Sequence, residues 1–126
     1  MKRLMGVLLT VIAILTACNS ELAITEVKSV PNDVQKVIDQ LGMDSYVQKI
    51  YVVGKDISYI VINTKGTVTV SVESNDDKVS VNIEEDEGQN DAIEQHIYKL
   101  TTDRDYEYFL LHKNGEEIPI DVVTAI

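Results

Sequence analysis

The stretch TVTVSVESNDDKVSVNIE, residues 67–84, decides the fold because apolar and polar residues alternate in it on both sides of a polar turn. The apolar positions are Val68, Val70, Val72, Val79, Val81 and Ile83. Strict alternation is typical of a β-strand that has one face on the core and the other in water. The polar residues 74–77 separate the two runs, so the stretch predicts a β-hairpin.

The same period of two extends on both sides of this hairpin. The candidate strands are 46–53, 57–64, 67–73, 78–84, 95–101, 106–112 and 117–123. Most of the links are short, and Asn114-Gly115 is typical of a type I′ turn because both residues tolerate a positive φ. Parallel neighbours need a crossover of about a dozen residues. We therefore expect an antiparallel β-meander of six or seven strands.

A helix is predicted before the strands, at about residues 32–41. Its apolar stripe has helical spacing and consists of Val34, Val37, Ile38 and Leu41. Ser29 or Asn32 can cap its start, and Gly42 is typical of a residue that ends a helix. The expected fold class is therefore α+β, mainly β, with one N-terminal helix packed through this stripe on the meander.

The N-terminal residues have the pattern of an export signal. Lys2 and Arg3 precede an apolar run from Leu4 to Ala17, and Cys18 follows it. A basic start, an apolar centre and small residues before a cleavage point are typical of secretory signals. The run is shorter than the roughly 20 apolar residues of a spanning helix. An uncleaved membrane anchor is the alternative reading.

The sequence Leu15-Thr16-Ala17-Cys18 resembles the lipobox of bacterial lipoproteins. The resemblance implies a diacylglycerol on the Cys18 sulfur and cleavage between Ala17 and Cys18 by the lipoprotein signal peptidase. The alternative for Cys18 is an incidental thiol. The resulting division is a signal peptide at 1–17, a lipidated tether at 18–28 that includes a candidate edge strand at 23–27, and a single compact β-rich domain at 29–126.

The net charge of the chain limits the classes of partner that it can bind. The precursor has 11 basic and 21 acidic residues, a formal charge of −10. Removal of residues 1–17 takes away Lys2 and Arg3, so that nine basic residues remain against 21 acidic ones and the charge becomes −12. Such a surface repels nucleic acid. We expect the membrane to be contacted through the lipid anchor alone. Cys18 is the single cysteine, which excludes an intrachain disulfide.

The acidic link at residues 84–91 is a candidate cation site. Clustered carboxylates can provide the oxygen ligands of Ca²⁺, but the acidic residues here lack the spacing of an EF-hand loop. The alternative is a solvated loop whose charge discourages pairing between sheet edges. We favour the solvated loop and leave the calcium site as an open hypothesis.

The remaining candidate chemistry is weak. His96 and His112 lie in different candidate strands and have no zinc-ligand spacing. The sequence contains no nucleophile, nucleotide or dinucleotide motif, so no catalytic residue, metal or cofactor is predicted. The six tyrosines favour core and edge packing over a tyrosine-rich binding face. They are Tyr46, Tyr51, Tyr59, Tyr98, Tyr106 and Tyr108.

These observations predict a membrane-tethered extracytoplasmic lipoprotein, held at the bacterial membrane through Cys18. Its domain is expected to be a non-enzymatic binding or envelope-associated module whose protein, peptide or glycan partner the sequence does not identify. Two other classes stay open. One is an exported enzyme or foldase without a recognisable motif, and the other is an inhibitor or immunity-type protein.

Overall fold

The computed structural model describes residues 22–86, 88 and 91–126. Within these residues the chain forms one helix and nine strands, more than the six or seven strands predicted, and the fold is mainly β as expected. The elements are β1 (Ala23–Val27), α1 (Asn32–Leu41), β2 (Val47–Tyr51), β3 (Ile57–Thr64), β4 (Thr67–Asn75), β5 (Lys78–Asp86), β6 (Glu94–Thr101), β7 (Tyr108–Lys113), β8 (Glu116–Glu117) and β9 (Val122–Ala125).

The strands form two sheets, so the prediction of one antiparallel meander is wrong. The five-stranded sheet has the order β1-β6-β3-β2-β9, and the four-stranded sheet has the order β4-β5-β7-β8. The pairs β2–β9 and β5–β7 are parallel. The hairpin predicted from residues 67–84 is present as β4 and β5, which pair antiparallel from Thr67↔Asp86 to Asn75↔Lys78.

The two-residue link Lys65-Gly66 explains the difference. A short link forces antiparallel pairing only if both strands stay in one sheet, but here the chain turns from β3 in the first sheet to β4 in the second. A Cβ atom on Gly66 would lie 2.5 Å from the Asp86 carbonyl oxygen, so the corner requires glycine. Pairing in the second sheet therefore begins immediately after the turn.

The candidate strand 117–123 is broken into two parts. Glu116–Glu117 pairs with β7 in the four-stranded sheet, whereas Val122–Ala125 pairs with β2 in the other sheet. Pro119 lies between them and has no N–H to donate to a ladder. The Asp121 carboxylate then accepts hydrogen bonds from the Tyr46 and Val47 amides, at 2.9 and 3.2 Å. The crossing segment therefore joins one edge of each sheet.

The turn at Asn114-Gly115 agrees with its prediction. Both residues have positive φ, 50° and 87°, and they connect the antiparallel strands β7 and β8. The Asn114 side chain also contacts the end of β5, since its Oδ1 accepts from the Glu85 amide at 2.9 Å. The turn therefore connects β7 to β8 and also forms a hydrogen bond with β5.

The main core lies between the two sheets. It consists of buried side chains from β2, β3 and β6 on one side and from β5 and β7 on the other, namely Val47, Ile60, Ile62, Val81, Ile83, Tyr98, Leu100 and Leu111. The opposite face of the five-stranded sheet packs against α1. Strand β3 is therefore covered on both faces, which explains its continuous apolar run Ile60-Val61-Ile62.

Helix α1 has the predicted bounds but follows β1, so it is not the first element of the domain. Val34 and Ile38 are buried against Ile50, Tyr59 and Val61 of the sheet. The expected side-chain cap is wrong, because Pro31 occupies the N-cap position and makes no side-chain cap hydrogen bond. The predicted end is present, and the Gly42 amide donates to the Ile38 carbonyl at 3.2 Å.

Strand β1 coincides with the candidate edge strand at 23–27 and pairs antiparallel with β6. It occupies one edge of the five-stranded sheet and lies next to β4 of the other sheet. None of the helices in the described ranges has the length and apolar character needed to cross a membrane. Cys18, Ala17 and the signal segment lie outside the described residues.

Candidate functional site

A cavity of about 270 Å³ opens between the two sheets at one end of the sandwich. It lies where β2 and β6 end and where β3, β5 and β7 begin. Leu100, Val79 and Phe109 form its apolar interior, and the links 52–56 and 102–107 border its mouth. The complete lining is Lys49, Tyr51, Lys55, Asp56, Ile57, Ser58, Val79, Leu100, Thr102, Arg104, Asp105, Tyr106 and Phe109.

Lys49 is the charged group that the strand geometry brings between the sheets. Successive side chains of a strand point to opposite faces, so Val47, Lys49 and Tyr51 share one face of β2. Val47 belongs to the core between the sheets, whereas Ile50 on the other face packs against α1. A lysine therefore occupies a position that faces the second sheet.

The surroundings of the Lys49 ammonium are aromatic and apolar. Its Nζ lies 3.8 Å from the centroid of the Phe109 ring and 6.0 Å from that of Tyr51. Among the residues described, no carboxylate oxygen lies within 4.0 Å of Nζ. Burial lowers the pKa of Lys49 from its ordinary value of 10.5, because a half-buried ammonium loses hydration.

Hydrogen bonds hold the mouth of the cavity in place. The Thr102 amide donates to the Asp56 carbonyl at 2.9 Å, which joins the two bordering links. The Arg104 guanidinium donates to the Asp76 carbonyl in the turn between β4 and β5, and lies 4.7 Å from the centroid of the Tyr106 ring. These contacts tie the two bordering links to each other and to the turn between β4 and β5.

The side chains that line the cavity carry a net positive charge, whereas the whole chain is negative. Three cationic side chains and two carboxylates line the cavity, in a chain with a formal charge of −10. The two carboxylates, Asp56 and Asp105, are exposed and belong to the bordering links. A cavity with an apolar interior and one inward cation can hold a small molecule that carries a negative group.

The opposite end of the sandwich contains part of the acidic link. Glu84 and Glu85 belong to β5, and residues 87, 89 and 90 lie outside the described residues. The Glu85 carboxylate accepts hydrogen bonds from the Tyr46 hydroxyl and from Thr64 Oγ1, the latter at 2.9 Å. Within the described ranges, no three histidine, cysteine or acidic side chains form a metal-binding group.

The two histidines lie on different sheets, and neither lines the cavity. His96 Nδ1 lies 3.2 Å from a Glu26 carboxylate oxygen, and His96 Nε2 lies 3.9 Å from a Glu94 carboxylate oxygen. His112 belongs to β7, and its buried Nδ1 has no hydrogen-bond partner among the described residues. The structure therefore does not bring the two histidines into one site.

Four of the six tyrosines lie in the core or line the cavity, whereas Tyr46 is partly buried against the core and Tyr108 is exposed. Tyr59 and Tyr98 are buried, and Tyr51 and Tyr106 line the cavity. Burial and the nearby Glu26 carboxylate raise the pKa of Tyr98 to about 12. Core packing therefore accounts for one pair of tyrosines, and the cavity contains another.

Sequence reasoning missed Lys49. It lies within the candidate strand 46–53 but is not among the site residues that the sequence predicts. The available signal was the same-face series Val47, Lys49 and Tyr51, in which a charge follows a core residue. The signal becomes decisive only when a second sheet is known to cover that face.

Comparisons with models of protein families, with curated proteins and with solved structures gave no match.

Proposed function

We propose that this protein is an exported lipoprotein whose β-rich domain is a non-enzymatic binding module outside the cytoplasm. The observation that carries the binding role is the cavity between the sheets, where Lys49 has no described carboxylate within 4.0 Å. Ligand sites are commonly concave, with apolar walls and a few polar groups that orient the ligand. This cavity, named here the Lys49 cavity, combines an apolar interior at Val79, Leu100 and Phe109 with charged groups at Lys49 and at its mouth.

The proposed anchor rests on Leu15-Thr16-Ala17-Cys18, which resembles a lipobox. One acyl chain gives marginal membrane binding, whereas two give a stable anchor, at about 0.8 kcal/mol per buried CH₂ group. The negative charge of the domain would keep it away from anionic head groups. Attachment through lipid on Cys18 would therefore leave the domain in solution beside the membrane.

Replacement of the lipidated cysteine tests the anchor. In bacteria that express Cys18→Ser, we expect loss of acyl-chain labelling and of the shortened, lipidated form. Asn19→Ser is the matched control, because it changes the next residue and leaves the thiol in place. A Cys18→Ser product that is still cleaved and still sediments with membranes would contradict the anchor.

A cavity-filling variant tests the binding role. Ser58 lines the cavity, so Ser58→Phe should fill part of it, whereas Ser71→Phe places the same ring on an exposed position of β4. We expect the full chain and Ser71→Phe to retain the same small molecules or peptides from an envelope extract. Ser58→Phe should lose them. Equal retention by all three proteins would contradict binding in this cavity.

An exported enzyme is the second candidate, and Lys49 is again the observation that favours it. A lysine with a lowered pKa has a larger neutral fraction, and a neutral amine can attack a carbonyl group. Incubation with a small aldehyde and borohydride would trap such an amine as a stable adduct. Selective labelling of Lys49 over exposed lysines would favour the enzyme, and uniform labelling would favour the binding module.

The inhibitor or immunity-type class stays a hypothesis from the sequence. It predicts that a deletion strain becomes more sensitive to a protease or a toxin outside the cell. A deletion strain with unchanged sensitivity would count against this class without affecting the anchor or the cavity.

A further inference from the structure

We infer that the Lys49 cavity binds a small organic monocarboxylate with a flat apolar body, whose carboxylate faces the Lys49 ammonium. This inference rests on the proposed binding function and names the ligand class of the same site. Four features of the cavity carry it: the charge of its interior, the nature of its side walls, its size and the balance of charges at its mouth.

The charge of the interior selects an anion. The Lys49 Nζ contacts the Phe109 ring, and no carboxylate oxygen of the described residues lies within 4.0 Å of it. A hydrogen bond between an ammonium and a carboxylate is shorter and stronger than one between neutral groups, and partial exclusion of water strengthens it further. A cationic ligand would instead add a second positive charge beside Lys49.

The side walls and the size select a flat apolar body. Tyr51, Tyr106 and Phe109 are all lining residues, and aromatic rings favour offset or edge-on contacts with another ring. A volume of about 270 Å³ lies just below the range of about 300–1,000 Å³ that is typical of ligand pockets. A single ring with a short acidic side chain is therefore a suitable size for the cavity.

The balance of charges selects a single negative charge. Asp56 and Asp105 border the entrance beside Lys55 and Arg104, so these four charges cancel and Lys49 remains as the one cation to be matched by a ligand. The formal charge of −10 on the chain disfavours any further negative charge on the ligand. Inorganic phosphate at neutral pH and longer polyanions therefore fit the site less well than a monocarboxylate.

A panel of matched probes tests the inference on the full chain in a neutral detergent. Phenylacetate is the expected ligand, and 2-phenylethanol and phenethylamine keep a similar body with a neutral or a positive group. Inorganic phosphate provides a negative charge without the ring. Binding is followed by calorimetry and by perturbation of the amide resonances of residues that line the cavity.

We expect phenylacetate to bind more tightly than the other probes and to perturb the resonances of Lys49, Leu100 and Phe109. Lys49→Met should weaken its binding at least about tenfold, since it removes a charged hydrogen-bond donor. Lys65→Met is the control, because Lys65 is exposed and does not line the cavity. It should bind phenylacetate as the unmodified chain does.

Two results would overturn the inference in distinguishable ways. The first is that phenylacetate and 2-phenylethanol bind equally well and that Lys49→Met leaves both affinities unchanged. This result would show that the cavity binds flat apolar molecules and that their charge does not affect the affinity. The proposed binding module would then stand, but the ligand class would be wrong. Absence of binding by every probe would also overturn the ligand class. In that case, retention of envelope ligands that Ser58→Phe abolishes would still support the binding module.

Discussion

The Lys49 Nζ of β2 lies 3.8 Å from the centroid of the Phe109 ring of β7, so a cation of one sheet contacts an aromatic side chain of the other. Such contacts contribute about 0.5–2 kcal/mol, depending on exposure. Burial acts in the opposite direction, because the half-buried ammonium loses hydration and its pKa is lowered. We expect this loss of hydration to outweigh the attraction of the ring.

This balance predicts that Lys49→Met stabilises the fold. Methionine retains much of the apolar side chain and removes the partly desolvated charge. We expect the free energy of unfolding at pH 7 to rise by a few tenths to about 1 kcal/mol, measured by urea denaturation. The exposed control Lys65→Met should change it by less than about 0.5 kcal/mol. A loss of stability in Lys49→Met would show that the contact with Phe109 dominates.

The raised pKa of Tyr98 predicts that the folded chain loses stability at alkaline pH. Its pKa is about 12 in the folded chain, against an ordinary value of 10, so the folded state binds more protons between these two values. The free energy of unfolding should therefore fall as the pH rises above about 10. Urea denaturation between pH 8 and 11 should show a shallower fall for Tyr98→Phe than for the unmodified chain. Tyr108→Phe, at an exposed site, should not reduce the fall.

The turn at Gly66 between the two sheets predicts that a single added methyl group destabilises the fold. In Gly66→Ala the new Cβ would lie 2.5 Å from the Asp86 carbonyl oxygen, so the start of β4 must move away from the end of β5. We expect a loss of about 1–3 kcal/mol in the free energy of unfolding. The neighbouring Lys65→Ala is the control, since Lys65 is exposed. Equal stability of the two variants would contradict the close approach.

The packing of α1 on the sheet predicts a loss of stability when a buried side chain of the helix is shortened. Ile38 is 2% exposed and packs with Ile50 and Val61 against the outer face of the five-stranded sheet. Ile38→Ala should lower the free energy of unfolding by about 2–5 kcal/mol, because it leaves a cavity beneath α1. The exposed Lys36→Ala should have little effect. Similar denaturation midpoints for both variants would show that α1 does not pack on the sheet as described.

The sequence alone determined the elements whose signals are local. Helix α1 has the bounds 32–41 that its apolar stripe and Gly42 predict, and β3 has the predicted bounds 57–64. The turn at Asn114-Gly115 has positive φ at both residues, as its composition indicates. Side-chain periodicity and turn preferences act within a few residues, so a single chain segment contains all the information that they need.

Only the tertiary structure decided which strands pair and where the cavity lies. The same two-residue link can close a hairpin or turn a corner, and Gly66 approaches Asp86 because the neighbouring Thr67 pairs with Asp86 across the β4–β5 ladder. Lys49 became a candidate ligand contact because β7 places Phe109 over it. The contact between Lys49 and Phe109 exists only when the two sheets meet face to face, since 60 positions separate the two residues in the sequence.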